Sequence, residues 1–201
     1  MLPDLEFKRS KIYEKTLLRL IKKEPMARLE RPILLETFEK LESRKSELNR
    51  ILSEITNILH IQWNRKSIRI YALSFREHGT TFSDPLTISL CTSSGKPAEM
   101  EDVVDLISHE LIHNAIEEIP DYPPILEKLK QDFPSLPEDA YSHIIVHAVH
   151  FLVYKKLRSL TRYEADKEKA KTRSDLSAAW NIVDKTGAEK ILSKYIQIGK
   201  Q

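Results

Sequence analysis

The 201-residue chain sets 32 Lys and Arg against 30 Asp and Glu, with 41% hydrophobic and 31% charged residues, the balance of an ordinary soluble protein. Its one cysteine, Cys91, excludes an intrachain disulfide, and four glycines argue against a glycine-rich phosphate loop. No apolar run approaches the roughly 18 residues of a membrane span, and the first residues contain no apolar signal-peptide region, so a cytoplasmic protein is expected.

The near-neutral total hides a division. Residues 1–69 carry 16 Lys and Arg against 10 Asp and Glu, a net +6; residues 70–140 carry 4 against 14, a net −10; residues 141–201 carry 12 against 6, a net +6. An acidic middle favours cation binding. The basic flanks could meet nucleic acid, but acidic residues are interspersed throughout them, so solvated helix faces are the expected reading.

Taken in order, residues 4–23 read as an amphipathic helix whose apolar side is Ile12, Leu17, Leu18 and Ile21, ended by Pro25. Pro32 to His60 reads as one longer helix with apolar residues at three- and four-residue steps. Ser67–Phe75, β-branched and aromatic, reads as a strand, and residues 76–80 as a turn. Residues 85–91 alternate, with Leu86, Ile88 and Leu90 on one side and Thr87, Ser89 and Cys91 on the other. That pattern predicts a half-buried strand, and Pro85 suits the start of an edge strand.

The next segment carries chemistry. His109-Glu-Leu-Ile-His113 is an H-E-x-x-H run inside a helix placed between Pro97 and Pro120. Residues four apart on a helix lie about 40° apart around its axis. His109 and His113 can therefore reach one metal ion, and zinc suits neutral imidazole. Glu110 lies beside them, where a carboxylate can take a proton from water. Met100, Val104, Ile107, Leu111 and Ala115 form the apolar back of the helix, and Asp102 and Asp105 share the histidine side.

Pro120–Pro124 reads as a rigid break, residues 125–133 as a short helix, and Ser135-Leu-Pro-Glu138 as a capping box opening a long one. Along that helix His143, His147 and His150 fall within about 60° of arc, extended by Tyr154, in an otherwise apolar run. Such a seam is costly to bury without partners. Metal ligation and a hydrogen-bonded core network are both open to it. Residues 156–201 read as basic packing helices, stopped once at Gly187, with Trp180 and Tyr163 either lining a cleft or packing in the core.

Strand, alternating edge strand, H-E-x-x-H helix and second ligand-bearing helix, over roughly residues 67–155, resemble the zincin metallopeptidases. More narrowly they are similar to the gluzincins and their compact minigluzincin members. The resemblance implies an edge strand that holds extended peptide, carried here by Pro85–Leu90 with Thr87 and Ser89 facing substrate. It implies zinc on His109 and His113, and Glu110 as the group that activates water. Gluzincins take a third ligand, a glutamate, from the second helix; here that face offers His143, His147 and His150 instead. His147 is slightly favoured over His143 as the ligand, and His150 or Tyr154 could donate to a developing oxyanion. Minigluzincins are held latent by their own C-terminal segment, a role that the sequence leaves open for residues 165–201.

The expected fold is thus α+β: a mostly helical, zincin-like domain with a small sheet (strands near 67–75 and 85–91) packed on the H-E-x-x-H helix. The expected organisation is an N-terminal helical segment 1–66, a metal-binding core 67–155 and a C-terminal helical segment 156–201, together one compact domain. The expected function is a zinc-dependent peptidase acting on peptide or protein substrates, with neither membrane nor nucleic acid as partner. Two alternatives stand beside it: a regulatory protein with a structural metal site, and a nucleic-acid-associated protein. Oligomeric state is not legible.

Overall fold

The computed structural model describes residues 1–22, 24–77, 81–120 and 122–196. It is mostly helical with a small mixed sheet, an α+β fold as expected. The chain divides into two compact units, residues 1–52 with 63–114 and residues 53–62 with 115–201. Among the described residues no helix is long and apolar enough to cross a membrane. Part of the turn expected at residues 76–80, part of the break at Pro120–Pro124 and the polar end beyond residue 196 lie outside the described residues.

The first unit opens with a strand, not with the helix expected over residues 4–23. β1 (Asp4–Lys8) pairs in parallel with β3 (Ser67–Leu73), from Asp4 opposite Ser67 to Lys8 opposite Tyr71. Leu5 is fully buried and its neighbours Asp4 and Glu6 are not, a period of two that five residues make hard to tell from a helix turn. Ser10 then caps α1 (Lys11–Ile21), accepting from the Tyr13 N–H at 3.1 Å. Glu14 of α1 takes the backbone N–H of Ser74 at 2.5 Å and its hydroxyl at 3.0 Å, tying the helix to the end of β3. Leu17, Leu73 and Phe75 form a small core there.

After β2 (Ala27–Arg28), the helix expected from Pro32 to His60 is two helices, α2 (Arg31–Ser43) and α3 (Lys45–Leu59). The chain turns at Arg44, whose φ of −87° and ψ of 3° leave the helical region and whose guanidinium pairs with Glu47 and Glu101. Hydrophobic spacing alone reads the run as continuous across this turn. His60 adopts a left-handed φ of 51° just past α3, the conformation that ends a helix.

β3, β6 (Leu86–Ser89) and β5 (Phe82–Ser83) complete a four-stranded sheet in the order β1-β3-β6-β5, with β4 (Phe75–Arg76) pairing separately with β2. β1, β3 and β6 run parallel; β5 is antiparallel to β6. The expected edge strand is therefore an interior one. β5 lies outside it, with Phe82 opposite Thr87 and Ser83 opposite Leu86. Both faces of β6 are buried, as suits a strand with neighbours on both sides. α4 (Met100–Glu117) follows.

The second unit holds α5 (Tyr122–Asp132), α6 (Ala140–Leu157), α7 (Leu160–Ala170), α8 (Ser174–Thr186) and α9 (Ala188–Tyr195). α6 is its centre, packed by α5, α7, α8 and α9. Ile144, Ile145, Val146, Ala148 and Val149 are fully buried, which accounts for the almost unbroken apolar run. The expected capping box does not open this helix. α6 begins at Ala140, whose N–H meets the Pro137 carbonyl at 2.9 Å, and Glu138 pairs instead with Lys130 at 2.7 Å. Gly187, at φ 90°, separates α8 from α9 as expected.

Candidate metal centre

α4 is buried on almost every side. Val104, Ile107, Leu111, Ile112 and Ala115 have no exposure, and Asp105, expected beside the histidines, is buried as well. The residues left partly open along the middle of the helix are Asp102, Leu106, His109 and His113, spaced four, three and four. That is one helical stripe, and both motif histidines stand on it.

Nε2 of His109 and Nε2 of His113 are 3.2 Å apart, with the rings edge to face. Two nitrogens bound to one tetrahedral zinc at about 2.0–2.1 Å must themselves lie about 3.3 Å apart. The pair stands at that spacing. A hydrogen bond between one protonated and one bare nitrogen also fits 3.2 Å, so the distance passes a test of fit and does not name an ion. Glu110, between them in sequence, is only 9% exposed, and burial pushes its carboxyl up to about 7.

His143 sits in the first turn of α6. Its Nδ1–H donates to the carbonyl of Asp139 at 2.7 Å, which leaves Nε2 as the bare nitrogen. A backbone carbonyl on one ring nitrogen is the usual way a ligating histidine is oriented. Burial lowers its pKa, favouring the neutral form that a metal requires.

His147, the slightly favoured ligand, lies deep inside the second unit. His147 is 1% exposed, and its ring stacks on Trp180 with centroids 3.8 Å apart. Trp180 also meets Tyr163 edge to face at 5.0 Å, so both aromatics belong to the core of the second unit. His150 and Tyr154 are equally buried, 1% each, with ring centroids 4.4 Å apart, and His150 Nδ1 lies 3.9 Å from the Asp166 carboxylate. His150 and Tyr154 thus also stand in the interior of the second unit.

Thr87 and Ser89 are structural too. Thr87 is fully buried and shares a 2.7 Å hydrogen bond with the Tyr13 hydroxyl. Ser89 Oγ lies 2.6 Å from the Phe75 carbonyl and 2.9 Å from that of Cys91, and accepts the Cys91 N–H at 3.0 Å.

Sequence reasoning passed over Asn114. Its side-chain amide donates to the Ser83 carbonyl of β5 at 2.7 Å and to the Glu110 carbonyl at 3.0 Å, and its oxygen accepts from Arg65 Nη1 at 2.6 Å. It is 1% exposed. An asparagine directly after the motif, in a run otherwise buried by apolar residues, was the available signal.

The chain matches no protein-family model, no curated protein and no solved structure.

Proposed function

We propose that the chain is a zinc-dependent peptidase. The observation that carries this reading is the 3.2 Å separation of His109 and His113 Nε2, with Glu110 next to His109 on the same helix. His109 and His113 of α4 would hold the ion, and the resemblance implies a third ligand from α6; imidazole donors suit zinc among the borderline metals. Bound zinc supplies a Lewis acid that polarises a carbonyl and makes water acidic at neutral pH.

The remaining steps belong to the protein. Glu110 accepts the proton of the attacking water, and water oxygen adds to the carbonyl carbon of the scissile amide. Glu110 then returns that proton to the leaving nitrogen as the C–N bond breaks, so one water is consumed and a carboxylate and an amine are released. Low exposure of Glu110 supports the role, because a base with a pKa near neutrality can both take and give a proton there. β5 is the strand at this edge of the sheet, and Asn114 ties it to α4, so an extended peptide paired on Phe82–Ser83 would run beside the catalytic helix. The resemblance to gluzincins supports the same reading.

The test is metal content together with cleavage of an unbiased peptide mixture. About one zinc per chain is expected, with cleavage lost on chelation and restored by zinc. Cleavage that survives complete removal of metal, or bound zinc without any cleavage, rejects the reading.

A further inference from the structure

A second feature of the first unit is a cleft of about 270 Å³ whose lining includes Arg65, Ser67, Arg69, Asp84 and Asn114. It lies at the start of β6, beside the part of β3 that precedes their pairing. β3 pairs with β1 along its whole length from Ser67, but with β6 only from Tyr71 onward. Among the described residues no strand stands opposite Ser67–Ile70 on that second side.

The direction of the main-chain groups follows from two hydrogen bonds. Lys66 turns its carbonyl to β1, accepting the Asp4 N–H at 3.0 Å, while Leu73 turns its carbonyl the other way, accepting the Leu90 N–H at 3.0 Å. Successive residues of a strand alternate in this respect, so odd-numbered residues of β3 face the β6 side. Ser67 and Arg69 therefore direct N–H and C=O into the cleft. This is a short open strand edge, and an open edge is a template for pairing with another extended chain.

Charge selects among such chains. The Arg65 guanidinium is held at the cleft by Asn114, at 2.6 Å, and Arg69 is 63% exposed, 3.7 Å from Glu6 at its Nε. Asp84 is the one carboxylate among the lining residues, so guanidinium exceeds carboxylate there by two to one. We propose that this cleft binds an extended peptide segment bearing an acidic side chain, its backbone paired to Ser67 and Arg69 and its carboxylate held by Arg65 and Arg69. Neither motif histidine lines the cleft, so the proposal stands whether or not that pair holds metal. Planar guanidinium suits a carboxylate better than lysine would, because two N–H groups can meet both oxygens.

The experiment uses the full chain in excess chelator, so that no cleavage complicates binding. Fluorescein-labelled peptides of five residues, blocked at both ends and alternating valine and threonine, carry Glu, Gln or Lys at the centre. Anisotropy should show the Glu peptide binding about tenfold more tightly than the Gln peptide, with Lys weakest. Arg69→Ala, an exposed change whose thermal melt should match wild type, should remove the Glu preference. N-methylation of the backbone beside the central residue should weaken binding about tenfold while leaving the side chain intact. Equal binding of Glu and Gln peptides overturns the proposal, as does tighter binding of the Lys peptide or a preference that survives Arg69→Ala. Binding insensitive to N-methylation overturns the strand-pairing half. Because metal is absent throughout, none of these outcomes can be confused with failure of the peptidase reading.

Discussion

Asn114 donates its side-chain amide to the backbone carbonyl of Ser83 at 2.7 Å, and this bond fastens the outermost strand of the sheet to the helix that carries both motif histidines. The same amide reaches the Glu110 carbonyl one turn back, and the oxygen takes Arg65. Every polar atom of a nearly buried side chain is thus engaged. Asn114→Ala should cost about 2–3 kcal/mol of unfolding free energy, because it takes one hydrogen-bond partner from a guanidinium and from a strand carbonyl at once. Denaturant titration measures that loss. A change below about 0.5 kcal/mol would show that water replaces the amide without penalty.

Ser89 separates a structural strand from a substrate-contacting one. Its hydroxyl bonds within the sheet, to Phe75 and Cys91. Ser89→Ala should lower stability by about 1–3 kcal/mol and leave KM for any cleaved peptide unchanged. A raised KM with unchanged stability would return this strand to the substrate.

With His143 as the third ligand of the proposed site, His143 and His147 should respond oppositely. His143→Ala should weaken zinc binding sharply with little change in the stability of the metal-free protein. His147→Ala should keep zinc but destabilise the fold by about 2–4 kcal/mol, since it empties a buried site stacked on Trp180. Zinc titration and thermal melts on the two variants distinguish them. Loss of zinc affinity in His147→Ala with the fold intact would reverse the assignment.

What could be read in the sequence was what local periodicity carries. The α4 histidines, the apolar length of α6 and the Gly187 stop are set by residues three or four apart, or by one residue's φ preference. What could not be read depends on partners distant in sequence. β1 is a strand because β3, more than 60 residues later, pairs with it. Arg44, at the turn that ends α2, pairs with Glu101 of another helix. That His147 stacks on Trp180 depends on how another helix packs, which no spacing within α6 reveals. The edge strand was misplaced because two residues, Phe82 and Ser83, are too few to give a pattern.

A pH dependence follows from the second unit. Lys194 and Tyr195, at 2.8 Å and 2.6 Å, hold the Asp132 carboxyl below its usual range. A carboxyl whose folded pKa is depressed adds stability above its unfolded pKa and loses it as pH falls through the folded value. Asp132→Asn should therefore destabilise at pH 7 and make little difference near pH 2. Melting temperatures of the two proteins across that range should converge toward the acid end. A constant gap would assign the effect to packing or hydrogen-bond geometry instead of charge.

The most direct test of a metal-dependent peptidase is one substitution measured two ways. Glu110→Gln keeps the shape of the side chain and removes its ability to accept a proton. Zinc content should stay at about one per chain, while peptide cleavage should fall by about a hundredfold or more, the scale of a lost general base. A variant that keeps its zinc and cleaves as fast as wild type would contradict the account.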